Sequence, residues 1–279
     1  MALSSFPFLN DSLNAKKFPK IHHWFRPTLA PEQGVFLVLL GSFLTGAALA
    51  QQWNQWTNLA LICAFLTLQM EHPYVVQLKQ RKSWKPRFLI WGGIYGVSAL
   101  SLAILLWLHS PVLLAIYSLV VVALVADGIA VVHQKHKSIA NELISFATIS
   151  LAAPLAYGAT TGNLSIEAMG IWILNTLFFS SAIYTIKLRK KKTHSLQPGI
   201  IYHGVSALIL VGLYSVNCLS LITALSFAVA LIKFGIVHCV LDWYRQARFH
   251  SIAIFETRFA LVYIAIACIS VLPAHLPPQ

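Results

Sequence analysis

Residues 87–132 read RFLIWGGIYGVSALSLAILLWLHSPVLLAIYSLVVVALVADGIAVV. The only Asp, Glu, Lys or Arg in this stretch are Arg87 at its start and Asp127 near its end. His109 and Ser110 divide it into two apolar runs, Arg87–Leu108 and Pro111–Val132. A membrane-crossing helix needs roughly 20 mostly apolar residues, with a range of about 17–25, and both runs meet that length. The same reading along the chain gives seven more candidates. They are about Gly34–Gln51, Thr57–Met70 (extended toward Leu78), Glu142–Ala159, Glu167–Leu188, Ile200–Val216, Leu219–Leu241 and Thr257–Pro273. In the second candidate along the chain Glu71, His72 and Pro73 interrupt the apolar run, and Pro73 is expected to kink or end the helix.

Composition agrees. The 279 residues are 58% hydrophobic and only 10% charged, with 20 Lys and Arg against 8 Asp and Glu, a net charge of +12. A soluble domain carries about 25% charged residues. These values exclude an ordinary soluble enzyme, a disordered chain and a nucleic-acid binder. The expected fold is all-α: a polytopic transmembrane bundle of about nine helices. Residues 31–279 form a single transmembrane domain and residues 1–30 a cytosolic tail. That tail lacks a signal-peptide core, and its Phe6, Phe8 and Leu9 are read as part of a loose segment.

The basic residues have a pattern of their own. Nineteen of the 20 Lys and Arg fall in the tail or at alternate connections: Lys16 to Arg26, Lys79 to Arg87, Lys135 and Lys137, Lys187 to Lys192, and Arg245 to Arg258. The intervening connections and the C-terminal segment hold none. Cytoplasmic loops of membrane proteins are enriched in Lys and Arg. The N-terminus is therefore expected inside and the C-terminus outside, which an odd helix count requires. Trp53, Trp56 and Trp107 flank one interface and Trp84, Trp91 and Trp243 the other, as an aromatic belt does.

Acids are few, so their positions matter. Glu71 is expected to end the second helix, Asp127 to lie near the inner end of the fourth and Glu142 to open the fifth. Asp242 is expected to end the eighth and Glu256 to open the ninth. With His72, His203 and His238 these lie toward the cytoplasmic side. Ionisable groups in a membrane usually face a bundle interior or a wet cavity, so Glu71, Asp127, Glu142, His203, His238, Asp242 and Glu256 are candidates to line one inner cavity. Solvated helix ends are the alternative, and Glu142 and Glu256 at helix N-termini would also be favoured by the macrodipole. His238 and Asp242 are four apart and share a helix face, a spacing that suits a metal pair, an Asp orienting a His, or a helix-end hydrogen bond. Asp127, His238 and Asp242 are the candidate metal ligands, although no H-E-x-x-H or similar motif occurs. Lys233 is the one basic residue outside the loops. It is read as snorkelling, binding phosphate, or pairing with an acid on a neighbouring helix.

Other residues read as structural. Gly92, Gly93, Gly96, Ala152, Ala153, Gly204 and Gly212 permit close helix packing, and Asn175 and Tyr184 are read as interhelical hydrogen-bonding groups. Cys63, Cys218, Cys239 and Cys268 lack C-x-x-C spacing and are read as packing residues.

Short motifs carry a resemblance. Pro31-Glu32-Gln33-Gly34-Val35-Phe36 resembles the Glu-His-Gly-small-aromatic signature of YwiC-like membrane proteins, with Gln33 where His is usual. Leu68-Gln69-Met70-Glu71-His72-Pro73, Lys137-Ser138-Ile139-Ala140-Asn141-Glu142-Leu143, Thr185-Ile186-Lys187-Leu188-Arg189, Asp242-Trp243-Tyr244 and Glu256-Thr257 resemble the cyanobacterial-type branch of that family. More distantly, nine helices with an inside N-terminus and a polar cytoplasmic side resemble the UbiA-type prenyltransferases. Those enzymes hold Mg²⁺ and an isoprenoid diphosphate between two Asp-rich motifs, and Mg²⁺ ions bridging a diphosphate are chemically apt for its ionisation. The corresponding places here are Asp127 through His133 and Lys137, and the surroundings of Asp242, each with a single Asp.

Three functional classes follow. The first is a UbiA-like, prenyltransferase-related protein binding an isoprenoid or lipid diphosphate on the cytoplasmic side. Its acids would be Glu71, Asp127, Glu142 and Asp242, with Lys135, Lys187 or Lys233 near phosphate and Mg²⁺ as the implied ion. The second is a non-catalytic assembly or lipid-binding protein whose basic loops meet anionic lipids. The third, a transporter, needs midplane polar residues and broken helices. The expected location is a plasma or thylakoid-type membrane.

Overall fold

The computed structural model describes residues 27–29, 33–80, 85–135, 137–189 and 195–272. The tail apart from residues 27–29, Trp84, His136 and the start of the Pro31 motif lie outside them. The described residues form twelve helices. They are α1 (Gln33–Ala50), α2 (Gln55–Lys79), α3 (Pro86–His109), α4 (Leu113–Val132), α5 (Ile139–Ser150), α6 (Ala152–Thr161), α7 (Ile166–Lys187), α8 (Gln197–Ser215), α9 (Leu221–Leu225), α10 (Ala228–Cys239), α11 (Leu241–Gln246) and α12 (Phe249–Ser270).

Eight segments are long and apolar enough to cross a membrane, and the apolar helix Gly34–Ala50 is shorter. Two crossings are built from two helices each, Ile139–Thr161 from α5 and α6 and Leu221–Cys239 from α9 and α10. The described residues thus supply about nine crossings of a polytopic helical bundle, in agreement with the sequence. Consecutive crossings reverse direction. The ends of α2, α4, α7 and α10 therefore share one side with the starts of α3, α5, α8 and α12. The described Lys and Arg other than Lys233 and Arg258 lie in or beside the connections on this side, which we term the basic end; the opposite side is the far end. Arg258, expected beside a connection, lies near the middle of α12 because that helix starts at Phe249.

Several expectations change. α2 passes through Pro73 and ends at Lys79, so the proline does not terminate it. Pro73 is buried, and Gly92 on α3 leaves room for it: a side chain there would meet Pro73 and the Tyr74 ring. A proline inside a membrane helix is tolerated where a neighbouring helix covers the break. Glu71 consequently lies two turns inside α2 rather than at its end. The expected single span Glu142–Ala159 breaks at Leu151, whose N–H turns back to the Thr148 carbonyl. Pro154 lacks the N–H that Ser150 would need to continue the ladder. α12 starts at Phe249, earlier than expected, so Glu256 lies two turns inside it and loses the helix-terminus setting. Asp242 belongs to the separate short helix α11. By contrast, Glu142 does occupy the first turn of α5, whose N-cap is Ser138.

α1 is the central helix. Leu39, Phe43 and Ala47 join a core with Ala60, Cys63 and Ala156 of α2 and α6. Val38 joins a second core with Phe178, Tyr263 and Ile264 of α7 and α12. In hydrocarbon the hydrophobic effect does not pull helices together, so small residues and polar contacts do. Gly46 lies directly against the Ala153 backbone of α6. Gly41 fits under Ile264 and Phe179. Asn175 of α7 donates to Thr45 of α1 at 2.8 Å and accepts from the Tyr263 hydroxyl of α12 at 2.7 Å, with all three buried. The four cysteines are free; Cys63 and Cys218 are buried, as packing residues are, whereas Cys239 is exposed.

A side chain at Gly46 must push backbone aside, whereas Gly212 has open space around it. Overpacking costs about 1–3 kcal/mol or more. Gly46→Val should lower the unfolding temperature of the detergent-purified protein and its folded yield. Gly212→Val should change neither; equal behaviour of the two variants would contradict this packing.

Candidate functional site

Two spaces that share a wall lie in the first half of the bundle. A groove of about 560 Å³ runs between α3 and α4 over a floor from α2. Val97, Leu100 and Ile104 on α3 and Leu114 and Val121 on α4 are exposed along its rim, so it opens sideways toward the membrane. Behind it an inner cavity of about 110 Å³ reaches α1, α5 and α6. Thr67, Ala103, Tyr117, Val120 and Leu124 line both. Apolar spaces of roughly 300–1,000 Å³ with a few convergent polar groups are the usual form of small-molecule sites.

The polar groups here are few. Glu71 is the one charged side chain lining the inner cavity among the described residues. The Tyr117 hydroxyl, on the shared wall, is buried and meets no hydrogen-bond partner among the described residues. Asp127 lies three residues beyond Leu124 on α4, one turn nearer the basic end. Its Oδ1 accepts from Asn141 Nδ2 at 2.7 Å, which ties α4 to the start of α5. Beyond the lining on this side Lys79 ends α2, Lys85 precedes α3, Arg87 is its second residue and donates to the Pro27 carbonyl at 3.2 Å, and Lys135 follows α4.

Glu142 and Glu256 have separate partners. Lys187 at the end of α7 pairs with Glu142 of α5 at 2.6 Å. Deeper in the second half, Lys233 of α10 pairs with Glu256 of α12 at 2.8 Å, their side chains 3% and 15% exposed. Lys233 also donates to Ser181 Oγ at 3.0 Å and lies over the Phe178 ring. Glu256 Oε1 accepts from Thr185 at 2.8 Å and from the Tyr244 hydroxyl at 3.0 Å. Burial, reinforced by the charge of Glu256, pushes the Tyr244 phenol well above its ordinary range, so it stays a donor. Of the readings open for Lys233, pairing with an acid on a neighbouring helix is the one realised. Its contacts join α7, α10, α11 and α12.

The histidines are dispersed. His72 is half-buried on α2. His203 is buried on α8, donates its Nδ1–H to the Gly199 carbonyl at 2.7 Å and stacks on Phe234. His238 and Asp242 are exposed, and the helix break at Val240 separates them. Asp127 belongs to the α4 side of the molecule. Among the described residues no three His, Cys, Asp or Glu side chains group as a metal site. Asn141, Ser181, Thr185, Tyr244 and Tyr117 were absent from the expected set. Tyr244 and Thr185 stood in quoted motifs, but which acid a hydroxyl meets is decided by the packing of distant helices.

Residues 29–157 match the YwiC-like protein family. No curated protein and no solved structure matches the chain. The matched span runs from the start of α1 into α6, and every residue lining the groove and the inner cavity falls within it. The Lys233–Glu256 cluster falls outside. The similarity to YwiC-like proteins therefore covers the half of the bundle that holds this groove and inner cavity.

Removing one member of a buried ion pair leaves the other uncompensated and costs about 3–5 kcal/mol. Lys233→Met and Glu256→Gln should each lower the unfolding temperature. The double variant should recover part of that loss. Additive losses in this double-mutant cycle would show that the pair is not coupled.

Proposed function

We propose that this multi-pass membrane protein binds an isoprenoid or lipid diphosphate, with its tail in the α3–α4 groove and its charged head at the basic end. The observation that carries this reading is the lateral groove itself: apolar along its length and open to the membrane, with Lys79, Lys85, Arg87 and Lys135 lying beyond its lining on one side. Lysines act as point charges toward phosphate, and arginine forks toward its oxygens. Glu71 and Asp127 stand on the same side of the groove as the head. Mg²⁺ enters here as the diphosphate's own counter-ion, because it takes one or two carboxylates together with substrate phosphates. The distant resemblance to UbiA-type prenyltransferases points the same way and assigns the basic end to the cytoplasm. In that orientation the N-terminus is inside and the C-terminus outside.

Gly93 lines the groove, and a side chain there meets nothing within 4 Å. It can therefore be plugged without disturbing the fold. Native mass spectrometry of the purified protein with farnesyl diphosphate should show a one-to-one adduct. Gly93→Phe should remove it while leaving the unfolding temperature unchanged. An adduct indifferent to Gly93→Phe, or none with either farnesyl or a longer polyprenyl diphosphate, would overturn the proposal.

A further inference from the structure

The groove has a length, and the length selects among ligands. On α3 its lining runs from Gly93 to Trp107, fourteen residues or about 21 Å of helix rise. The hydrocarbon core of a bilayer is about 30 Å thick, so one leaflet takes up about 15 Å. A tail filling the groove from the basic end passes the midplane into the opposite leaflet. The first lining residue, Gly93, is itself seven residues beyond Pro86, where α3 begins, which adds about 10 Å between head and groove. Trp107 on α3 and Leu114 on α4 line its far end.

Two lipids laid end to end, one from each leaflet, would fill the same length. The charge distribution speaks against that arrangement. The basic end offers Lys79, Lys85, Arg87 and Lys135 to an anionic head. The far-end connection between α3 and α4, Ser110 to Val112, offers no Lys or Arg. One head at one end, with a single continuous tail, fits both facts.

Resting on the reading that the groove holds a lipid diphosphate, we infer that its ligand is a long polyprenyl chain reaching beyond one leaflet. Trp107 would set the far limit. Ordinary two-tailed phospholipids and short isoprenoids then bind more weakly than a long polyprenyl chain, since neither fills the groove from a single head at the basic end.

The test uses the full chain in lipid nanodiscs and three probes: farnesyl diphosphate, undecaprenyl diphosphate and dioleoyl phosphatidate. The long polyprenyl probe should bind about tenfold more tightly than the short one, a difference of about 1.4 kcal/mol. Ile104 is exposed on the groove wall, eleven residues or about 16 Å beyond Gly93. Ile104→Trp should bring the long probe down to the level of the short one and leave the short probe unchanged. Equal affinity for both isoprenoids, with Gly93→Phe displacing both, would overturn the length selection while the groove remains an isoprenoid site. Displacement of the long probe by an equal concentration of phosphatidate would also overturn it. Retention of neither isoprenoid would remove this inference together with the reading beneath it.

Discussion

A chain immersed in hydrocarbon must satisfy its polar groups from within, because no water is there to do it. The buried Lys233–Glu256 pair shows the consequence most fully. Its ammonium meets a carboxylate, a serine and an aromatic face, and its carboxylate meets a lysine, a threonine and a tyrosine. Those partners come from α7, α10, α11 and α12, so one charge pair fixes the relative positions of four helices. The Thr45–Asn175–Tyr263 chain does the same with neutral groups for α1, α7 and α12. Between these polar centres, glycines bring backbones together, most closely at Gly46 against Ala153.

The two halves of the bundle differ under this constraint. In the second half the buried acid and base are mutually satisfied, which makes a rigid joint. In the first half α3 and α4 stand apart along the groove, Glu71 faces an inner cavity, and the Tyr117 hydroxyl has no protein partner among the described residues. The YwiC-like match covers this open half. A binding function is accordingly sought there, with α1 as the wall that the rigid half supports.

Much of the fold was legible because hydropathy and charge are one-dimensional signals. The apolar runs located the crossings. What escaped was local backbone chemistry overridden by packing. Pro73 reads as a helix end, yet α3 covers it and α2 continues. Residues 249–256 read as a connection, yet they start α12, so Glu256 moved from a helix terminus to the interior. The breaks at Leu151 and between α9 and α10 were also unread, since each is held by a turn of a few residues.

The site was less legible than the fold. The sequence marked Glu71, Asp127, Glu142, Lys233 and Glu256 as costly residues that need a reason, but it could not say which would meet. Glu142 took Lys187, Glu256 took Lys233, and Asp127 took Asn141. The groove had no sequence signature, because Val97, Leu100 and Ile104 look the same whether they face bulk lipid or a bound tail. The most direct measurement is an electron cryomicroscopy map of the protein extracted with its native lipids. This account predicts one elongated density along α3 from Gly93 to Trp107, with its head among Lys79, Lys85 and Lys135. A head at the Trp107 end, or α3 and α4 closed against each other with no groove between them, would contradict it.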